Sequence, residues 1–336
     1  MSALLKNILP WQTGQWQTLT ERINAGSLPH ALLLSGMAGL GKSQFAEQLA
    51  QGLLCHSPEN NLPCGQCRSC QLLKAETHPD IRHINVPADK KIIGVGQIRE
   101  LGDYLSLKAQ YEKYRVVIIN PADRMNVNAS NSLLKTLEEP PPDTVIVLIS
   151  ERPALLPATI RSRCQKISFA KPDRESAIQW LENCPDLTGD PQVVLDIAGG
   201  APLAALSIAA DDALQKREML ISDLEGLLLG REDPVLIGEK WLKLDTKTSL
   251  YWLYGWIVDM IRLKVSSKPP GLNNSDMLAR LKTMSERLET QQLFKRLDRV
   301  NEVLRVIEGQ LNQQLLLEDV LLTWISGVKP DARAST

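Results

Sequence analysis

The sequence is poor in aromatic residues, with 3 Phe, 5 Tyr and 7 Trp among 336 residues. That scarcity leaves no visible stacking platform for single-stranded nucleic acid. A charge excess is also missing: 38 Lys and Arg against 39 Asp and Glu give a net charge of −1. The pI is about 6.5. A free-standing DNA binder is usually more basic, so any nucleic-acid contact is expected to be shared with partner chains. There is no charged-then-apolar leader and no apolar run long enough to span a bilayer. Tandem repeats and low-complexity tracts are absent too. These absences predict a cytoplasmic protein with no membrane partner. In a reducing compartment the 6 cysteines are expected as thiols or metal ligands rather than disulfides.

The remaining composition is ordinary for a globular chain, with 43% apolar and 23% charged residues, and this length predicts two or three domains. Short apolar runs at Ala31–Ser35, Ile81–Val86, Val116–Ile119, Val145–Ile149 and Lys166–Phe169 read as strands. Segments of helical spacing lie between them, at Ser43–Leu54, Gln97–Ala109 and Asn126–Glu138, the last stopped by Pro140, Pro141 and Pro142. Alternation of this kind predicts parallel βαβ units. After Pro172 no convincing strand remains. Asp173 can cap a helix, and Gly199, Gly200 and Pro202 mark a turn between two short helices. From about Asp212 the pattern is helical, with breaks near Gly230–Pro234 and Lys268–Asn274. The stripe Leu293, Leu297, Val300, Leu304 and Ile307 reads as a helical core, and the tail Lys329–Thr336 as frayed. The expected fold is α/β followed by all-α.

Residues Gly36 to Ser43 read Gly-Met-Ala-Gly-Leu-Gly-Lys-Ser, a complete G-x-x-x-x-G-K-[ST] between a strand and a helix. Gly36, Gly39 and Gly41 would form the turn whose N–H groups face phosphate. Lys42 would reach the terminal phosphates, and Ser43 would ligate Mg²⁺. ATP with Mg²⁺ is therefore the expected occupant; the rival reading is a tight turn that binds nothing. Hydrolysis needs carboxylates at the end of the strand Arg115–Ile119, and that strand runs into Asn120 and Pro121. Asn120 carries no charge for a metal, and Pro121 accepts no proton. Asp123, past the strand end, is a poor substitute.

Cys55, Cys64, Cys67 and Cys70 follow the spacing C-x8-C-x2-C-x2-C. Paired C-x2-C steps aim thiolates at one ion, and Zn²⁺ takes four sulfurs tetrahedrally. Gly65 supplies the turn between ligands. An iron–sulfur centre is the rival, but a ferredoxin run needs a further cysteine where Lys74 stands. His56 is an alternative to Cys55. The site reads as closed and structural. Cys164 and Cys184 stand apart.

Two further blocks read Ser-Leu-Leu-Lys-Thr-Leu-Glu-Glu-Pro-Pro (Ser132–Pro141) and Thr-Ile-Arg-Ser-Arg-Cys (Thr159–Cys164). With the loop and the cysteine spacing, they resemble the AAA+ sliding-clamp loader family of bacterial DNA polymerase III across essentially the whole chain. The resemblance implies an AAA+ domain over 1–168 with a zinc module at 55–70, a helical lid over 169–212 and a helical collar over 213–336. It implies that Arg163 is a trans arginine finger, reaching ATP bound by a neighbouring subunit. Implied partners are the gamma/tau and delta subunits, and through the complex the sliding clamp and primed DNA. The gamma/tau motors carry Asp-Glu where Asn120 and Pro121 stand, and a lid arginine where Leu203 stands. Both departures match the delta-prime branch, whose members often lack a good phosphate loop. The alternative is a self-sufficient gamma/tau-like motor, and a further rival is an adaptor holding ATP as a structural ligand. No polymerase carboxylate pair is recognisable, so polymerase activity is expected only through membership of the complex. Lys135 is a candidate for approach to DNA backbone.

Overall fold

The apolar runs assemble into a five-stranded, all-parallel sheet in a computed structural model that describes residues 8–106, 114–210, 212–266, 269, 271–307, 309 and 311–327. The chain divides into two units. One comprises Met1–Ala177 with Ala201–Ala204, and the other comprises Ile178–Gly200 with Ala205–Thr336.

In the first unit the strands are β1 (Ala31–Ser35), β2 (Ile81–Asn85), β3 (Arg115–Asn120), β4 (Thr144–Ser150) and β5 (Gln165–Ser168). Their spatial order is β2-β3-β4-β1-β5. Every residue of β1 and β4 is buried, whereas β2 and β5 at the edges are half open. Central parallel strands are covered on both faces, which is why they read as unbroken apolar runs. Successive residues alternate between the faces. Leu32, Leu34, Val116, Ile118, Val145 and Val147 join one core with Phe45 and Leu49 of α2 (Lys42–Leu54) and Leu19 of α1 (Thr13–Asn24). Ala31, Leu33, Val117, Ile119, Ile146 and Leu148 join the other with Ile98 and Leu101 of α4 (Val95–Ser106) and Leu133 of α5 (Val127–Glu138). Phe45 meets Trp16 and Phe169 edge-on, with ring centroids 5.5 and 5.1 Å away. Short α3 (Arg68–Lys74) follows the cysteine-rich insert, and α6 (Ala158–Arg161) precedes β5.

The sheet order brings the C-terminal ends of β3, β4 and β1 side by side. Ligand sites of open parallel sheets form at such ends. The helix expected over Gln97–Ala109 runs Val95–Ser106, and positions 107–109 lie outside the described residues. Asn126 caps α5, its side chain accepting the Ala129 N–H at 2.8 Å.

Short helices follow: α7 (Arg174–Glu182), with Asp173 accepting the Ser176 N–H at 2.9 Å, then α8 (Pro191–Ile197) and α9 (Pro202–Ala210). The second unit is built mainly from α10 (Ala213–Leu228), α11 (Pro234–Leu242), α12 (Thr246–Val265), α13 (Leu278–Arg287), α14 (Thr290–Val306) and α15 (Gln313–Ile325). Trp241, Trp256 and Trp324 are fully buried in its core beside Leu293, Val300 and Ile307. Among the described residues no helix is long and apolar enough to cross a membrane. The tail at Lys329–Thr336 lies outside the described residues.

Candidate functional site: a phosphate loop, an exposed arginine and a four-cysteine centre

The phosphate loop leaves the end of β1 and enters α2 through Gly41, which adopts a left-handed φ of 82°. Gly39 has φ 75°, and a Cβ there would stand 2.5 Å from the Ala204 methyl. At Gly36 a Cβ would stand 2.5 Å from the Phe169 carbonyl oxygen. These glycines let Ala204 and Phe169 approach the loop backbone where any side chain would clash. Gly39 also accepts the Leu203 N–H at 3.1 Å, so the first turn of α9 rests on the loop. The Leu40 carbonyl accepts bonds from Gln12 Nε2 (2.8 Å) and Trp11 Nε1 (3.0 Å).

Lys42, the first residue of α2, is buried, and its Nζ donates to the Met37 carbonyl at 2.6 Å. Burial lowers its pKa, while Glu151 and Asp123 push the other way. Ser43 Oγ accepts from Asn120 Nδ2 at 3.1 Å. Asp123 sits on a single 3₁₀ turn after β3. Its Oδ1 accepts from Ser150 Oγ at 2.7 Å, and its Oδ2 lies 3.6 Å from Arg152 Nε. The backbone cradle and Lys42 suit phosphate. Where a metal would sit, Ser43 Oγ meets the Asn120 amide, and Asp123 is held by Ser150 and Arg152.

Arg163 follows α6, close to the end of α5. Its Nη1 donates to the Thr159 carbonyl at 2.9 Å, and its Nη2 lies 2.6 Å from Glu138 Oε1. The side chain remains 35% exposed, so the guanidinium stays reachable from outside. Its neighbour Cys164 points into the core, where burial pushes the thiol up to about 11.

The four cysteines gather between the C-terminus of α2, capped by Cys55, and the N-terminus of α3, capped by Cys67. Their sulfurs all lie within 4.8 Å of one another. Cys55 to Cys67 is 3.9 Å, Cys64 to Cys70 is 4.0 Å and Cys55 to Cys70 is 3.7 Å. A tetrahedron with metal–sulfur bonds of about 2.3 Å has edges of about 3.8 Å, so one ion fits among them. Backbone N–H groups of Cys64, Cys67 and Cys70 donate to the sulfurs of Cys55, Cys64 and Cys67. Such bonds favour thiolate. Burial pushes Cys70 up to about 12. At Cys67 burial also raises the pKa, but backbone donors from Cys70 and His56 and the neighbouring thiols bring it down to about 6. His56 is not part of the cluster.

His78 belongs to no motif legible in the sequence. Its Nδ1 accepts the Asp80 N–H at 3.1 Å, so Nε2 carries the proton and donates to Ser69 Oγ at 2.9 Å. Ser69 in turn donates to the Leu54 carbonyl at 2.7 Å. This chain ties α3 to the end of α2 and fixes the cysteine module. The spacing Ser69–Cys70–x7–His78 carries no motif from which the link could be foreseen.

Against this geometry, known proteins are informative. A family model described as "DNA polymerase III, delta subunit" matches residues 11–173, and one described as "DNA polymerase III, delta subunit, C terminal" matches residues 211–326. DNA polymerase III subunit delta' of Pseudomonas aeruginosa is 32% identical over 96% of this chain and 98% of its own length. The Escherichia coli subunit delta' is 30% identical over 93% of this chain and 94% of its own. A Thermotoga maritima gamma subunit-related protein shares the fold, with TM-score 0.50 and 21% identity over 93% of this chain and 98% of that one. Similarity that spans both units at this level leaves one assignment: the chain belongs to the DNA polymerase III subunit delta' family.

Proposed function

We propose that this chain is a noncatalytic subunit of the DNA polymerase III clamp loader, acting in the cytoplasm during DNA replication. The observation that carries the proposal is the pairing of an intact phosphate loop with Asn120 beside Ser43, where hydrolysis would require a carboxylate. In this reading the loop holds a nucleotide without consuming it. Arg163 is offered in trans to ATP on a gamma/tau neighbour, where a guanidinium offsets charge on the transferred phosphoryl group. Its partial exposure and its bond to a half-exposed glutamate support that role. Zn²⁺ is the ion proposed for Cys55, Cys64, Cys67 and Cys70; four sulfurs with backbone donors around them favour it. The proposed division is an AAA+ domain over 1–168, a lid over 169–212 and a collar over 213–336. With the delta subunit and the motors, the chain would help place the sliding clamp on primed DNA.

The test is DNA-stimulated ATP hydrolysis by a loader reconstituted with Arg163→Ala. The expected result is a clear loss of rate with the assembly intact by size-exclusion chromatography. An unchanged rate would remove the trans role. Turnover by the isolated chain would instead favour the motor reading.

A further inference from the structure

The gamma phosphate of a nucleotide carries charge that sites of this kind neutralise with a metal ion and with cationic side chains. Around this loop, the groups that would supply such neutralisation are engaged by neighbours, partly offset, or replaced by apolar side chains. Ser43 Oγ, the oxygen that would ligate Mg²⁺, accepts from Asn120 Nδ2 at 3.1 Å. Asn120 is a neutral amide, so it brings to the metal position none of the negative charge that a carboxylate would. Asp123, the first carboxylate after β3, has a side chain only 4% exposed. Its two oxygens are engaged by Ser150 and Arg152. The side chains that α9 lays on the loop are Leu203 and Ala204. Leu203 Cδ1 lies 3.4 Å from where a Gly41 Cβ would stand, so that border is apolar. Lys42 is bonded to the Met37 carbonyl, and the fields of Glu151 and Asp123 offset part of its charge.

What remains for phosphate is Lys42 and the backbone cradle at the start of α2, with Gly39 and Gly41 in left-handed conformations. Backbone N–H groups and a helix N-terminus suit phosphate without a metal. We propose that this loop takes a nucleoside diphosphate without a divalent ion, and holds it at least as tightly as the triphosphate with Mg²⁺. The inference rests on the reading of the loop as a nucleotide site. It adds which phosphate chain the site selects.

The test is isothermal titration of the full chain with ADP and with ATP, each in Mg²⁺ and in EDTA. The expected result is ADP binding in EDTA, changed by less than about threefold on adding Mg²⁺, with ATP·Mg²⁺ no tighter than ADP. Binding of ATP·Mg²⁺ about tenfold or more tighter than ADP in EDTA would overturn this inference and leave the nucleotide site standing. No binding in any of the four conditions would overturn both. Asn120→Asp is expected to make Mg²⁺ tighten ATP binding by about tenfold. Failure of that variant to gain Mg²⁺ dependence, in protein with an unchanged melting temperature, would contradict the role given to Asn120.

Discussion

Helix α2 carries a candidate ligand site at each end, and the two ends are built differently. At its C-terminus four cysteines from a sixteen-residue stretch converge. That site is assembled by local turns and N–H to sulfur bonds. At its N-terminus the phosphate loop draws on Asn120 at the end of β3, Ser150 and Glu151 around the end of β4, and Leu203 and Ala204 of α9. A site made locally is governed by its own spacing. A site made from remote elements can keep its motif while its neighbours change what it can do. Here the loop motif is intact, and the strand end that faces it carries Asn120 and Pro121.

Metal removal should break the comparison most strongly. Structural zinc contributes on the order of 10 kcal/mol to folding in small modules. Chelation or Cys70→Ser should therefore lower the melting midpoint of the chain by about 10 °C or more, with one zinc per chain lost by metal analysis. A metal-free chain of undiminished stability would reduce the cysteine cluster to buried thiols. Gly39→Val should act at the other end alone. Its φ of 75° and the close approach of Ala204 imply a cost of about 1–3 kcal/mol. Nucleotide binding should vanish by titration while zinc content stays whole.

Lys42→Ala should weaken nucleotide affinity by about 10- to 100-fold, the value of a charge-assisted hydrogen bond. Far-ultraviolet circular dichroism should not change. Undiminished affinity would mean that the backbone cradle alone holds the ligand. The smallest effect concerns the middle of α2, where Glu47 bonds His83 of β2 at 2.7 Å. That bond raises the His83 pKa above its ordinary 6.5, with burial opposing it. Its stabilisation is therefore complete below about 6.5 and lost as pH rises through the elevated folded value. With both side chains more than a third exposed, the effect is under about 1 kcal/mol. His83→Gln should flatten the dependence of melting temperature on pH in that window; an unaltered slope would assign it to other groups.

Much of this arrangement is legible in the sequence, for physical reasons that differ by element. β1, β3 and β4 are visible because strands covered on both faces are apolar through their central positions. The four cysteines are visible because all fall in one short stretch whose C-x2-C steps can aim thiolates at one ion. The stripe of α14 is visible because one face of that helix meets the core: Leu293 and Val300 are fully buried. The Ser43–Asn120 bond joins residues 77 apart, and only the strand order brings them together. Arg163 and Glu138 meet because α6 packs against α5. Charged residues in the second unit are equally hidden from pattern reading. Arg296 of α14, outside the apolar stripe, is 3% exposed. It donates to the carbonyls of Trp324 and Ser326, closing the C-terminal end of α15. Burial holds its pKa down at about 10.

The central claim is that nucleotide is held by this chain while chemistry belongs to a neighbour. Steady-state ATP hydrolysis by the isolated full chain, with Mg²⁺ and primed DNA, tests it most directly. The account predicts no turnover above a Lys42→Ala control. Turnover abolished by Lys42→Ala would contradict it and would point to Asp123 or Glu151 as the base that Asn120 and Pro121 do not supply.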